Sequence, residues 1–343
     1  MDLARFEKIT NPYPRLRVAI IGDFCLDRYL EVDPTRQEIS IETGLPVHNV
    51  INVRSQPGGA GTILNNLAAL GVGEIHPVGF CGEDGEGFEL RLALQSRPGV
   101  RLGHFLATNL RRTFTYCKPL LINPNKPPEE LNRLDSKNWT PTPALVQGQV
   151  LDAALQLAGD MDAFILLDQV ALPETGVVTR KVLEGVHALG QKRPDLLILA
   201  DSRGGLRDFP PVIFKMNAAE LSTLSGAEHS LEVDQIRTIA AALSRKHGRP
   251  VFVTLSDQGI LGADPAGEVE HASALPVRGP IDIVGAGDAV TANLTAALAA
   301  GASAREAMEI AMAAASIVIH QLGTTGTASV SQIRSLLEGQ GPG

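Results

Sequence analysis

The sequence predicts an α/β protein built on a mostly parallel sheet with helices on both faces. Three observations carry that expectation. From Pro143 onward, helix-like and strand-like segments alternate, as crossover connections between parallel strands require. The strand-like runs are short and continuously apolar, the pattern of strands covered on both faces. Their C-terminal ends carry polar groups at Asp23, Asp168, Asp201, Asn217 and Thr254. Ligands of such sheets bind outside those ends.

The elements follow in order. Arg17-Val-Ala-Ile-Ile-Gly22 reads as a buried strand opening at Gly22-Asp23, with Asp27 close behind. Tyr29 to Gln56 is polar and irregularly alternating, punctuated by Pro34, Gly44 and Pro46, and reads as exposed strands inserted into the fold, a lid or a long surface loop. After Pro57-Gly-Gly59, apolar residues at 63, 64, 67, 68 and 70 recur at helical spacing, and Gly71 closes the helix. Strands are expected near Glu74 to Phe80, Val100 to Leu106 and Thr113 to Ile122, followed by a proline-rich turn at Asn123 to Pro128. The alternating part then gives a helix to Leu157, a strand Ala163 to Leu167, a helix Glu174 to Leu189 and a strand Leu196 to Ala200. Beyond it come a strand Val212 to Met216, a helix Asp234 to Lys246, a strand Val251 to Leu255 and a hairpin Gly259 to Ser273. Strand-like Ile281 to Val284 leads into a helix ending at Ala300 before Gly301. A last helix starts at Ser303, whose Glu306 completes a capping box. No internal repeat is present.

Composition narrows the function classes. The 343 residues are 44% hydrophobic, enough for one large domain or two small ones. Asp and Glu total 38 against 30 Lys and Arg, a formal charge of −8, with no basic cluster that would track nucleic acid or an anionic membrane. A small-molecule substrate is expected. Cys25, Cys81 and Cys117 are odd in number and widely spaced, which suits buried free thiols in a reducing compartment. Met1 to Arg17 lacks the apolar run of a signal peptide, and the apolar region from Ala286 to His320 is broken by Gly301, Arg305, Glu306 and Glu309. A cytoplasmic protein is expected.

The most informative stretch is Gly285-Ala-Gly-Asp288. Glycines let the backbone turn tightly and approach a ligand, while the helix that starts there points free N–H groups and its positive dipole end at the turn. That makes an anion pocket. Asp288 in the same turn would repel phosphate, and makes sense as the base for a hydroxyl that attacks phosphorus. The plain alternative is close helix packing with a carboxylate that favours the helix dipole.

Two longer motifs enlarge this reading. Pro57-Gly-Gly-Ala-Gly-Thr-Ile-Leu-Asn-Asn-Leu-Ala-Ala-Leu-Gly71 and Ile281-Asp-Ile-Val-Gly-Ala-Gly-Asp-Ala289 resemble the two signatures of the ribokinase-like (PfkB) sugar kinases, in the right order. The resemblance runs from Arg17 to about Thr327. Ile21 to Tyr29, Asn132-Arg-Leu-Asp135 and Gln321-Leu-Gly-Thr324 are most similar to the kinases that act on D-glycero-D-manno-heptose 7-phosphate. It implies a single ribokinase-like domain over residues 1–343, a three-layer αβα sandwich with a mostly parallel central sheet and a small β lid from insertions at about 28–56 and 108–135.

The resemblance also implies roles. Asp288 would deprotonate the acceptor hydroxyl, and the N–H groups of Gly285, Ala286 and Gly287 would stabilise the transferring phosphoryl. Asp27, Gly58, Gly59, Thr62 and Arg133 would meet the sugar. Asn217, Glu220, Thr254, Ser256 and Gly259 would meet ATP, with Glu220 on Mg²⁺ through water. On their own, Asn217 and Glu220 read as a helix cap, Thr254 to Gly259 as a hairpin turn and Arg133 as a surface ion pair. A monovalent cation and a homodimer through the lid also go with the resemblance. The chain departs from the family's pattern at Thr62 (usually asparagine), Glu38 and Tyr116 (usually arginine and lysine), Ser256 (glycine) and Met312 (asparagine). These departures keep two alternatives open: a kinase for an unphosphorylated sugar or nucleoside, and a non-catalytic sensor of sugar or nucleotide.

Overall fold

The computed structural model describes residues 1–227 and 229–339. The strands in chain order are β1 Arg17–Gly22, β2 Phe24–Val32, β3 Glu38–Ile39, β4 Pro46–Val47, β5 Val50–Gly59, β6 Glu74–Gly82, β7 Phe105–Thr108, β8 Phe114–Leu121, β9 Glu129–Glu130, β10 Ala163–Asp168, β11 Leu197–Ser202, β12 Ile213–Asn217, β13 Val251–Thr254, β14 Ile260–Ala263 and β15 Val269–Ala272. The α-helices are α1 Leu3–Thr10, α2 Ala60–Ala69, α3 Gly85–Gln95, α4 Ala144–Leu157, α5 Arg180–Lys192, α6 Ala218–Ser225, α7 Val233–His247, α8 Ala286–Ala299, α9 Ala304–Val318 and α10 Val330–Leu337.

Nine strands form the central sheet in the order β15-β14-β13-β12-β11-β10-β1-β6-β7. Every neighbouring pair from β13 to β7 is parallel, and only the β13-β14-β15 hairpins run antiparallel. Burial follows the pleat. Along β1, Val18 and Ile20 pack into the core under α2, α8 and α9, while Ala19 and Ile21 pack into the core under α4, α5 and α7. Both faces are therefore dry, which is why these strands read as unbroken apolar runs.

The strand order reverses at β1, which has β6 on one side and β10 on the other. That switch point leaves a crevice beyond the strand ends, where Asp23 follows β1 and Asp168 ends β10. A second sheet, β5-β2-β8-β9, rises from the same place, because β2 starts one residue after β1 stops. Its strands match the two segments expected to lie outside the sandwich.

Three expectations need correction. Ile281 to Val284 forms no strand: Ile281, Ile283 and Val284 are 45%, 71% and 53% exposed, in a loop the central sheet does not pair. Val100 to Leu106 is mostly a tight turn, and strand β7 starts only at Phe105. The helix expected from Glu174 begins at Arg180, because Thr179 accepts from Val182 N–H as its cap. The helix from Ser303 does begin with the expected capping box to Glu306.

Candidate active site

Residue Gly285 caps α8 with φ +84, a left-handed conformation in which a side chain is strained. Ala286 and Gly287 form the first helical positions, and Gly287 is exposed to the crevice. A Cβ at Gly287 would lie 3.2 Å from Lys215 Nζ, so the turn sits directly on that ammonium. Asp288 is the third helical residue. Burial first, then the negative charge of Asp201, pushes its carboxyl up to about 7, against the pull of Lys215 and Arg203. A carboxylate poised there suits a general base near neutral pH.

The sugar-side candidates gather on β2 and β5. A Cβ at Gly58 would come within 2.6 Å of Asp27 Oδ2, so only glycine leaves room for that carboxylate. Burial raises the pKa of Asp27, while Lys118, Arg133 and Arg203 act to lower it. Arg133 pairs with Asp135 at 3.0 Å and lies 5.0 Å over the Tyr116 ring, so it is both the surface ion pair and a cation near Asp27. Thr62 is buried at the start of α2, with its methyl 3.5 Å from where a Gly285 Cβ would sit. Gln56 on β5 donates to Thr325 Oγ1 and accepts from Thr324 Oγ1, both at 3.1 Å, and so ties the second sheet to the loop after α9.

On the other side of the turn, Asn217 and Glu220 form a reciprocal capping box on α6: Glu220 N–H to Asn217 Oδ1 at 2.9 Å and Asn217 N–H to Glu220 Oε2 at 2.7 Å. The helix-cap reading thus holds in full. Burial, and then the nearby Asp201, raises the Glu220 pKa. Thr254 is the β13 partner of Asn217 across the sheet, and Ser256 begins the turn that ends at Gly259. Ser256 has φ +56, the conformation that explains why glycine suits this position.

Sequence reasoning missed Lys215, Arg203 and the structural work of Asp201. Lys215 and Asp201 form a buried ion pair at 2.7 Å, and Thr291 Oγ1 donates to the same Asp201 oxygen at 2.8 Å. Arg203 acts on Asp27, Glu220 and Asp288 alike. At the switch point, Asp23 is buried and accepts N–H from Val177 at 2.6 Å and from Gln169 at 2.9 Å. Beside it, burial and the charge of Asp23 push Asp168 up to about 7. A hollow of about 440 Å³ borders Asp168, while one of about 410 Å³ lies at the opposite, N-terminal ends of β11 and β12 and is remote from the turn.

Residues 194–330 match the family model described as pfkB family carbohydrate kinase. The chain carries a pfkB-family carbohydrate kinase domain. It is the domain of an ATP-dependent sugar kinase. Among curated proteins, it is 28% identical over 323 residues to the bifunctional protein HldE of Gluconobacter oxydans and 31% identical over 345 residues to that of Nitrobacter hamburgensis. It spans 64% of the length of each, and the alignments cover 94% and 95% of this chain. Two solved structures show the ribokinase-like fold. Arabidopsis thaliana ribokinase, complexed with ribose and ATP, matches at TM-score 0.67 and 19% identity. Escherichia coli phosphofructokinase-2, in complex with potassium, matches at TM-score 0.71 and 19% identity. Each comparison covers 94% of this chain and 99% of the other.

Proposed function

We propose that this domain transfers the γ-phosphoryl of ATP to a hydroxyl of a sugar phosphate, with a heptose 7-phosphate the first acceptor to try. The observation that carries the proposal is the position of Asp288: it is one residue from the Gly285–Gly287 turn, with a carboxyl at about 7. The acceptor hydroxyl gives its proton to Asp288 as its oxygen forms the new bond to phosphorus. The bond from phosphorus to the leaving ADP breaks while the N–H groups of the turn meet the charge. Asp27 and the Gly58-Gly59 backbone orient the sugar. Asn217, Thr254, Ser256 and Gly259 lie on the nucleotide side.

Among the described residues, no three His, Cys, Asp or Glu side chains gather as a metal cage. A Mg²⁺ that keeps waters and binds mainly to phosphates needs no such cage, so Glu220 fits as its carboxylate. When bound, the ion would neutralise charge on the nucleotide phosphates.

The second sheet acts in this proposal as a lid that excludes water. Its exposed Val50, Ile51 and Val53, with Ile39, Ile41 and Leu45 nearby, support pairing with a second copy into a homodimer. A monomer by light scattering would sink that idea. The monovalent cation belongs to the proposal too, and unchanged turnover on exchanging potassium for tetramethylammonium would remove it. No described helix is long and apolar enough to cross a membrane, which accords with a cytoplasmic location.

One observation favours a neutral acceptor instead: Arg133 already has a carboxylate partner in Asp135. ADP release from Mg-ATP over a panel of sugars, sugar phosphates and nucleosides separates the readings. Turnover confined to phosphorylated sugars supports the first, turnover on neutral acceptors supports the second, and nucleotide or sugar binding with no turnover supports a sensor.

A further inference from the structure

We infer that Lys215 is a catalytic residue that receives the terminal phosphoryl group of the nucleotide, with Asp201 and Thr291 as the residues that position it. The inference rests on the kinase reading and adds to it a cation the family signatures do not contain.

Lys215 lies near the C-terminal end of β12, between Phe214 and Met216, which pack into the core on the α4–α7 side. Its own side chain therefore points the other way, toward α8, and is only 7% exposed. A lysine so placed normally loses its proton unless it is paired. Here burial lowers its pKa, yet the facing carboxylates of Asp201, Asp288 and Glu220 outweigh burial and raise it. The ammonium stays charged.

Its geometry goes beyond a plain structural ion pair. An ammonium has three donors, and among the described residues Lys215 uses one, to Asp201 Oδ2 at 2.7 Å. That same oxygen accepts from Thr291 Oγ1, which is also 3.1 Å from Gly287 O, so Asp201 is locked to the first turns of α8. The ammonium is held against the exposed Gly287, 3.2 Å from where a Cβ would be. A terminal phosphoryl seated on the turn would meet the remaining donors of Lys215 while Asp288 faces the acceptor. In the transfer, Lys215 keeps its proton and supplies charge only; the acceptor's proton goes to Asp288.

The test uses Lys215→Met, Lys215→Arg and the double variant Lys215→Met with Asp201→Asn, which removes both buried charges at once and so spares the fold a lone carboxylate. Affinities for ADP and for a non-hydrolysable ATP analogue are measured by calorimetry with Mg²⁺, alongside turnover. The expected result is loss of affinity for the ATP analogue by about 10-fold in the Met variants with ADP binding unchanged. Turnover should fall by about 10²- to 10³-fold, the usual loss for one transition-state donor, and partly recover in Lys215→Arg. If the ratio of the two affinities matches wild type in the folded double variant, Lys215 does not touch the terminal phosphoryl and the inference fails. Absence of wild-type turnover would count against the kinase reading instead, and the affinity ratio, which needs no turnover, still decides the role of Lys215.

Discussion

Replacing Gly287 by alanine should strengthen the fold and cripple the enzyme. The residue lies in the first turn of α8, exposed and without a left-handed φ, so alanine fits the backbone there. The usual gain of alanine over glycine in a helix is about 0.5–1 kcal/mol, and melting should rise by a degree or more. The cost falls on the site. The new methyl would stand 3.2 Å from Lys215 Nζ, closer than ordinary contact, and it would occupy the face of the turn on which phosphate is to sit. Relief requires the ammonium to retreat by a few tenths of an ångström, and misplacement of that order, up to about 1 Å, costs up to about 10²-fold in rate. Thermal melts and ADP release on one preparation of Gly287→Ala test both halves. Activity within two-fold of wild type would refute the idea that the Gly287 face is the anion surface.

The other predictions concern the groups around that surface. The Asp288 carboxyl at about 7 must be ionised to act as base, so activity should climb with pH through about 7 and level off above it; a profile flat from pH 5.5 to 8.5 would contradict this. The same raised value means that the folded chain binds this proton more tightly than the unfolded chain, so its contribution to stability declines as pH rises from about 4 to 7. Asp288→Asn should then melt higher than wild type at pH 8, with the advantage vanishing near pH 4. Ser256→Gly should be neutral to stabilising, by up to about 1 kcal/mol, because it relieves the left-handed φ of +56, and a clear loss in the melt would show a serine contact that outweighs the strain. Arg133→Ala should raise KM for a phosphorylated sugar well above its effect on a neutral one; equal effects on both would place the substrate's phosphate elsewhere.

Much of the architecture was legible because the physics is local. Both faces of each central strand are buried, so β1, β10 and β13 appear as apolar runs whose first polar residue marks the site end. Gly285 to Asp288 stood out because a left-handed cap and a close approach both demand glycine. Lys215 did not stand out: a lysine inside a strand reads as a solvated stem, and its partner Asp201 is fourteen residues away on another strand. One signal was available, a charge inside the apolar run Val212 to Met216, since a central strand can hold a charge only beside an opposite one. Ile281 to Val284 misled for the converse reason. Its residues have strand composition, but no sheet edge lies beside them, and composition does not supply a partner strand. Helices α1, α3 and α10 were missed although Asp2, Asp84 and Ser329 are capping residues, because their apolar spacing is short and each buries only a narrow stripe.

The most direct test of the central claim compares wild type and Asp288→Asn for acceptor-dependent ADP release at pH 8, with nucleotide affinity measured on both. The account predicts that the substitution removes acceptor-dependent turnover, by about 10²-fold or more, while leaving nucleotide binding intact. Turnover in Asp288→Asn at the wild-type rate would contradict the assignment of Asp288 as the base.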